Sequence, residues 1–86
     1  MDNYIYQGSV TYLNTTLEVY SNSYKDALIS LIKACNELYN QKQGVEISYD
    51  DFMKLQIYDF LLNEIVMKKI QLNVISKNND FAYYEY

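Results

Sequence analysis

Between Ser23 and Gln41 the chain places Tyr24, Ala27, Leu28, Leu31, Ile32, Cys35, Leu38 and Tyr39 at i, i+3, i+4, i+7 and i+8. That spacing is the apolar stripe of a helix that buries one face. Lys25, Asp26, Ser30, Lys33, Asn36, Glu37 and Asn40 fill the opposite sector, which is expected to face water. A one-sided helix needs something to lie on, so the flanking segments must supply a second layer.

The segment before it supplies a hairpin. Tyr4, Tyr6, Gly8, Val10 and Tyr12 alternate with Ile5, Gln7, Ser9 and Thr11, the period-two pattern of a half-buried strand. Leu13 to Thr15 centres on Asn14, a turn former, and Thr16 to Tyr20 is rich in strand formers. Val10 then falls opposite Leu17 or Val19; a shift by one would set it beside Thr16 or Glu18, so the pattern selects its own register. Gly8 marks a bulge or a place where the helix comes close. Ser23 with Asp26 forms a variant of the capping box, and Gly44 is suited to the left-handed residue that ends many helices.

After the extended link Val45-Glu46-Ile47, Ser48 with Asp51 repeats the capping arrangement. A second helix is predicted from Tyr49 to about Lys68. Met53, Ile57, Leu61 and Ile65 lie along one line, with Phe60 and Leu62 to either side and Gln56, Asp59, Asn63 and Glu64 in the wet sector. So wide an apolar surface predicts a helix held between two layers or against another subunit. Ile70, Leu72 and Val74 then alternate with polar residues, Lys77-Asn78-Asn79-Asp80 signals a turn, and Phe81 to Tyr86 is aromatic and extended, which predicts a second hairpin. The fold expectation is a single α+β domain spanning residues 1–86 in ββααββ order, a small antiparallel sheet of two hairpins packed against two helices.

The 86 residues suffice for one small core, and with Cys35 as the single cysteine no disulfide supplements it. Self-association is the natural supplement, and a homodimer is one expectation. No apolar run approaches the roughly 18–20 residues that span a bilayer, and no leader-like apolar segment follows Met1, so a cytoplasmic protein is expected. The abundance of Tyr, Asn, Ile and Lys is that of an AT-rich coding sequence.

The residues leave little for catalysis. Histidine is absent, so acid–base chemistry near neutrality would need a shifted carboxylate, Lys or Tyr. Asp50 and Asp51 are neighbours on a helix start, where they point about 100° apart and act with the helix dipole rather than as a dyad. Cys35 sits on the apolar stripe with no His or Arg to stabilise a thiolate. Gly8 and Gly44 are isolated and make no phosphate-binding loop. No enzyme activity, cofactor or metal is expected. Tyr4, Tyr6, Tyr12, Tyr83 and Tyr84 resemble a base-stacking platform, yet a net charge of −4, the absence of Arg and one Lys68-Lys69 pair argue against direct nucleic-acid binding.

What remains is recognition of a protein. Eleven tyrosines are more than a domain of this size can bury with every hydroxyl satisfied, and tyrosine suits contact surfaces. Tyr20, Tyr58, Tyr84 and Tyr86 are the expected exposed tyrosines, and Glu18, Asp50, Asp51, Asp59 and Glu64 are the acids able to mimic phosphates toward a basic partner. A compact acidic domain without catalytic residues has the size and composition of phage or mobile-element inhibitors of bacterial defence, anti-CRISPR proteins among them. The expectation is therefore a small acidic protein-binding module, its partner a protein such as a nucleic-acid-binding defence effector. The alternative is a structural or regulatory homo-oligomer that associates through Phe60, Leu62 and Val66.

Overall fold

The computed structural model describes residues 4–71. Two strands, β1 (Tyr4–Tyr12) and β2 (Thr15–Ser21), are followed by helix α1 (Tyr24–Gln43), the short helices α2 (Tyr49–Phe52) and α3 (Gln56–Glu64), and strand β3 (Val66–Gln71). The sheet is antiparallel throughout, with order β2-β1-β3. The α+β class is as expected. Among the described residues the order is ββαααβ, not the expected ββαα followed by a second hairpin. The predicted second helix divides into two and its end becomes β3, which pairs with β1. The predicted turn at 77–80 and return strand at 81–86 lie outside the described residues.

The first hairpin forms in the register its pattern selects, with Val10 opposite Leu17 and Gly8 opposite Val19. Its two-residue turn holds Leu13 and Asn14 at φ 51° and 61°, as a type I′ connection requires. Asn tolerates that conformation; Leu does not, and Leu13 is held there by packing against the core. At Gly8 a methyl group would come within 3.0 Å of Met67 Sδ and 3.3 Å of Leu31 Cδ2. The missing side chain is thus where α1 and β3 crowd the central strand.

Helix α1 starts where Ser23 Oγ accepts from the Asp26 amide at 3.0 Å and stops at Gly44, whose φ of 68° is left-handed. The Val45 amide reaches back to the Asn40 carbonyl at 3.1 Å, completing the cap. Ala27, Leu31, Ile32 and Cys35 are buried against the sheet as the stripe predicts. Two residues depart from it. Tyr24 is 52% exposed and meets Tyr6 edge-on, with ring centroids 6.0 Å apart. Asn36, placed by the pattern on the wet side, is buried. It lies on α1 between Lys33, which sits 5.4 Å above the Tyr49 ring, and Asn40, which bonds Ile47, so the 45–49 segment roofs it.

The predicted helix from Tyr49 to Lys68 is corrected. It breaks at Met53–Leu55, and the chain is already a strand at Val66. The cause is burial. Phe52 and Leu61 are both fully buried in one core. In an unbroken helix nine residues at about 100° each would set them about 180° apart, on opposite faces. Tight bonds from Lys54 N–H to the Asp51 carbonyl and from Leu55 N–H to the Phe52 carbonyl turn the chain, and Leu55 is extended before α3 begins. The break lets both side chains enter the same core.

Candidate partner-binding face

Helices cover one face of the sheet. Gly8, Val10 and Tyr12 of β1, with Leu17 and Val19 of β2, lie beneath α1. The alternate residues therefore form the other face, in rows fixed by the register: Thr16 beside Thr11, Glu18 beside Ser9 and Val66, Tyr20 beside Gln7 and Lys68, and Ile5 beside Ile70. Cross-strand pairs stitch the rows. Gln7 Nε2 donates to the Tyr20 hydroxyl at 2.8 Å, and the hydroxyls of Thr11 and Thr16 share a 3.2 Å hydrogen bond.

No described helix covers this open face, and one end of it is concave. Ser9, Val10, Thr11, Thr16, Glu18, Glu64 and Val66 line a depression of about 220 Å³. Glu64 reaches it because α3 ends there and Val66 immediately opens β3. Three residues singled out in the sequence, Glu18, Glu64 and Val66, are thus brought to one place. Val66 is 51% exposed, as the first residue of a strand rather than a point on a helix.

The other candidates are not gathered with them. Tyr20, expected to be exposed, is half-buried on the same face, one row from Glu18, with its hydroxyl bonded by Gln7. Asp50 and Asp51 lie in the first turn of α2, where the Asp51 amide is capped by Ser48 Oγ at 3.1 Å and its carboxylate faces Lys54 Nζ at 4.0 Å. Tyr58 is half-buried on α3, against the expectation of an exposed ring. Asp59 is exposed, as are Phe60 at 55% and Leu62 at 43%. Tyr84 and Tyr86 lie outside the described residues. Ser9, Thr11 and Thr16 are the lining residues that the sequence did not mark. Their alternation showed that they point away from the helix, but only the arrival of β3 and α3 beside β1 makes them a wall.

The lining offers two carboxylate acceptors and three hydroxyls that can donate or accept. Among the described residues, no three His, Cys, Asp or Glu side chains gather to hold a metal ion. Burial pushes the Cys35 thiol up to about 11, which keeps it protonated and unreactive at neutral pH. Burial likewise raises the Tyr12 hydroxyl, with smaller contributions from Cys35 and Tyr39. Of the tyrosines that resembled a stacking platform, Tyr12 is buried, Tyr6 packs on Tyr24, and Lys69 Nζ sits 4.1 Å over the Tyr4 ring, while Tyr83 and Tyr84 lie outside the described residues. Among the described residues no helix is long and apolar enough to cross a membrane. No protein-family model, curated protein or solved structure matches this chain.

Proposed function

We propose that this chain is a non-catalytic protein-binding module that acts in the cytoplasm by occupying a basic surface of its partner with the open face of its sheet. The observation that carries this reading is the meeting of Glu18 and Glu64 in a depression whose lining, among the described residues, contains no basic side chain. Carboxylates presented by a strand, at Glu18, and by the end of a helix, at Glu64, are suited to meet Lys and Arg side chains that otherwise contact phosphates. The partner class is a nucleic-acid-binding effector of bacterial defence, and the role is that of a phage or mobile-element inhibitor of the anti-CRISPR type. Asp50, Asp51 and Asp59, elsewhere on the surface, add to the negative field that steers such an encounter.

Affinity capture from a host lysate tests the proposal. The wild-type chain is expected to retain a basic protein that salt elutes, and Glu18→Gln with Glu64→Gln is expected to lose it. Equal recovery by the two chains would remove the open face from consideration.

A second reading rests on Phe60 and Leu62, large apolar side chains exposed on α3. It makes the chain a homo-oligomer joined through α3, with Val66 at the margin. Sedimentation decides it: a wild-type dimer that Phe60→Asp converts to a folded monomer supports the oligomer, and a monomeric wild type rejects it.

A further inference from the structure

The depression exists because two ladders end at different places. The β1–β2 ladder runs to Tyr12 opposite Thr15, whereas the β1–β3 ladder stops at Ser9 opposite Val66. In the two-residue hairpin the closing pair Tyr12–Thr15 exchanges hydrogen bonds, so the backbone groups of Tyr12, Val10 and Gly8 point to β2. Those of Thr11, Ser9 and Gln7 point to the other side. The close approach of the Thr11 and Thr16 hydroxyls agrees, since side chains are nearest in pairs that exchange no backbone bonds. Ser9 and Gln7 meet Val66 and Lys68, while Thr11, the next in line, has no ladder partner on that side among the described residues. Its carbonyl and amide are directed toward the depression that Thr11 lines.

We infer that this depression receives one cationic side chain of the partner protein, an arginine, seated between Glu18 and Glu64 with its guanidinium toward the Thr11 carbonyl. The occupant follows from charge, size and shape. Two carboxylates and the hydroxyls of Ser9, Thr11 and Thr16 supply acceptors, and among the described residues none of the lining side chains carries a positive charge. The nearest base along the ladder, Lys68, stands in the Gln7 row, beyond the lining. A space of about 220 Å³ suits a single long side chain and is too small for a helix or a second strand. Arginine fits better than lysine because its planar fork donates in several directions at once and pairs with carboxylates two bonds at a time. The exposed Val66 side chain offers an apolar wall for its methylenes.

This inference rests on the protein-binding reading and names what the open face recognises. Its test needs no partner. The ¹⁵N-labelled chain is titrated with N-acetyl-arginine methylamide, with the uncharged citrulline analogue, and with calcium chloride. The arginine probe is expected to shift the amides of Ser9, Thr11, Glu18, Glu64 and Val66 with a dissociation constant of about 1–10 mM, weakening as salt is added. The citrulline probe is expected to leave them in place, and Glu18→Gln with Glu64→Gln to abolish the arginine response in a chain whose remaining spectrum is unchanged. Equal responses to arginine and citrulline, shifts confined to other residues, or a response to calcium without one to arginine would each overturn the assignment. Arginine binding together with undiminished partner capture by the Gln variant would retain this site and reject the proposed function. Lost capture without arginine binding would do the reverse.

Discussion

The two faces of the sheet are made by alternate residues of the same strands, yet they are built differently. Beneath α1, Val10 and Tyr12 join Leu31, Ile32, Cys35, Phe52 and Leu61 in the core. Across the strand, the hydroxyls of Thr11 and Thr16 bond each other, and with Ser9 and Glu18 these residues line an open depression. Under the proposed function, a period of two separates stability from recognition by one residue step. A change on the covered face should alter folding; the same kind of change on the open face should alter only what the chain binds.

The largest expected effect is on the covered side. Phe52 is fully buried, with the Tyr39 ring edge-on at 5.7 Å. Phe52→Ala should cost about 3–5 kcal/mol of unfolding free energy in a denaturant titration, enough to threaten a domain of this size. A cost under about 1 kcal/mol would show that the broken α2–α3 segment does not anchor the core.

Alkaline titration reads the same face. The Cys35 thiol ionises near 9 when solvated and near 11 in the fold. Below pH 9 both states hold the proton and the group adds no pH dependence. Between pH 9 and 11 the unfolded chain loses it first, so stability falls as pH rises, by about 2–3 kcal/mol across the window. Tyr12, also raised, acts in the same direction. Cys35→Ala should flatten this part of the profile, and the comparison is made from the slopes.

Two asparagines one turn apart on α1 sharpen the contrast between a satisfied buried amide and an orphan. Asn40 bonds both backbone groups of Ile47, at 3.0 and 3.1 Å. Asn40→Ala strands those groups and should cost about 1–3 kcal/mol. The buried Oδ1 of Asn36 has no hydrogen-bond partner among the described residues. Asn36→Leu should therefore be neutral or stabilising by thermal melt, the opposite sign to its neighbour. Smaller still, Ser23→Ala removes the α1 cap and should cost about 1 kcal/mol.

The smallest expected stability effect belongs to the open face. Glu18→Gln with Glu64→Gln should change unfolding free energy by no more than about 0.5 kcal/mol, because neither carboxylate is in an ion pair among the described residues.

What was legible in the sequence was what local periodicity decides. The hairpin register follows from keeping Val10, Leu17 and Val19 on one face, and both ends of α1 follow from Ser23 and Gly44. The break at Met53–Leu55 was not legible, because the residues there form helices readily. It is imposed by the need to bury Phe52 and Leu61 together, a demand that exists only once the core exists. Val66 and Met67 continued the apolar run and so read as helix, although pairing with Ser9 and Gly8 makes them strand. The same non-local pairing explains the site. Glu18, Glu64 and Val66 stood out by charge and exposed apolarity, whereas Thr11 matters only because the β3 ladder stops two residues short of it.

The most direct test joins the two faces in one preparation. Glu18→Lys with Glu64→Lys is made, its folding verified by thermal melt, and its capture of the basic partner compared with wild type. The proposed division of duties predicts an unchanged melting temperature and lost capture. Retained capture by the folded variant would contradict it.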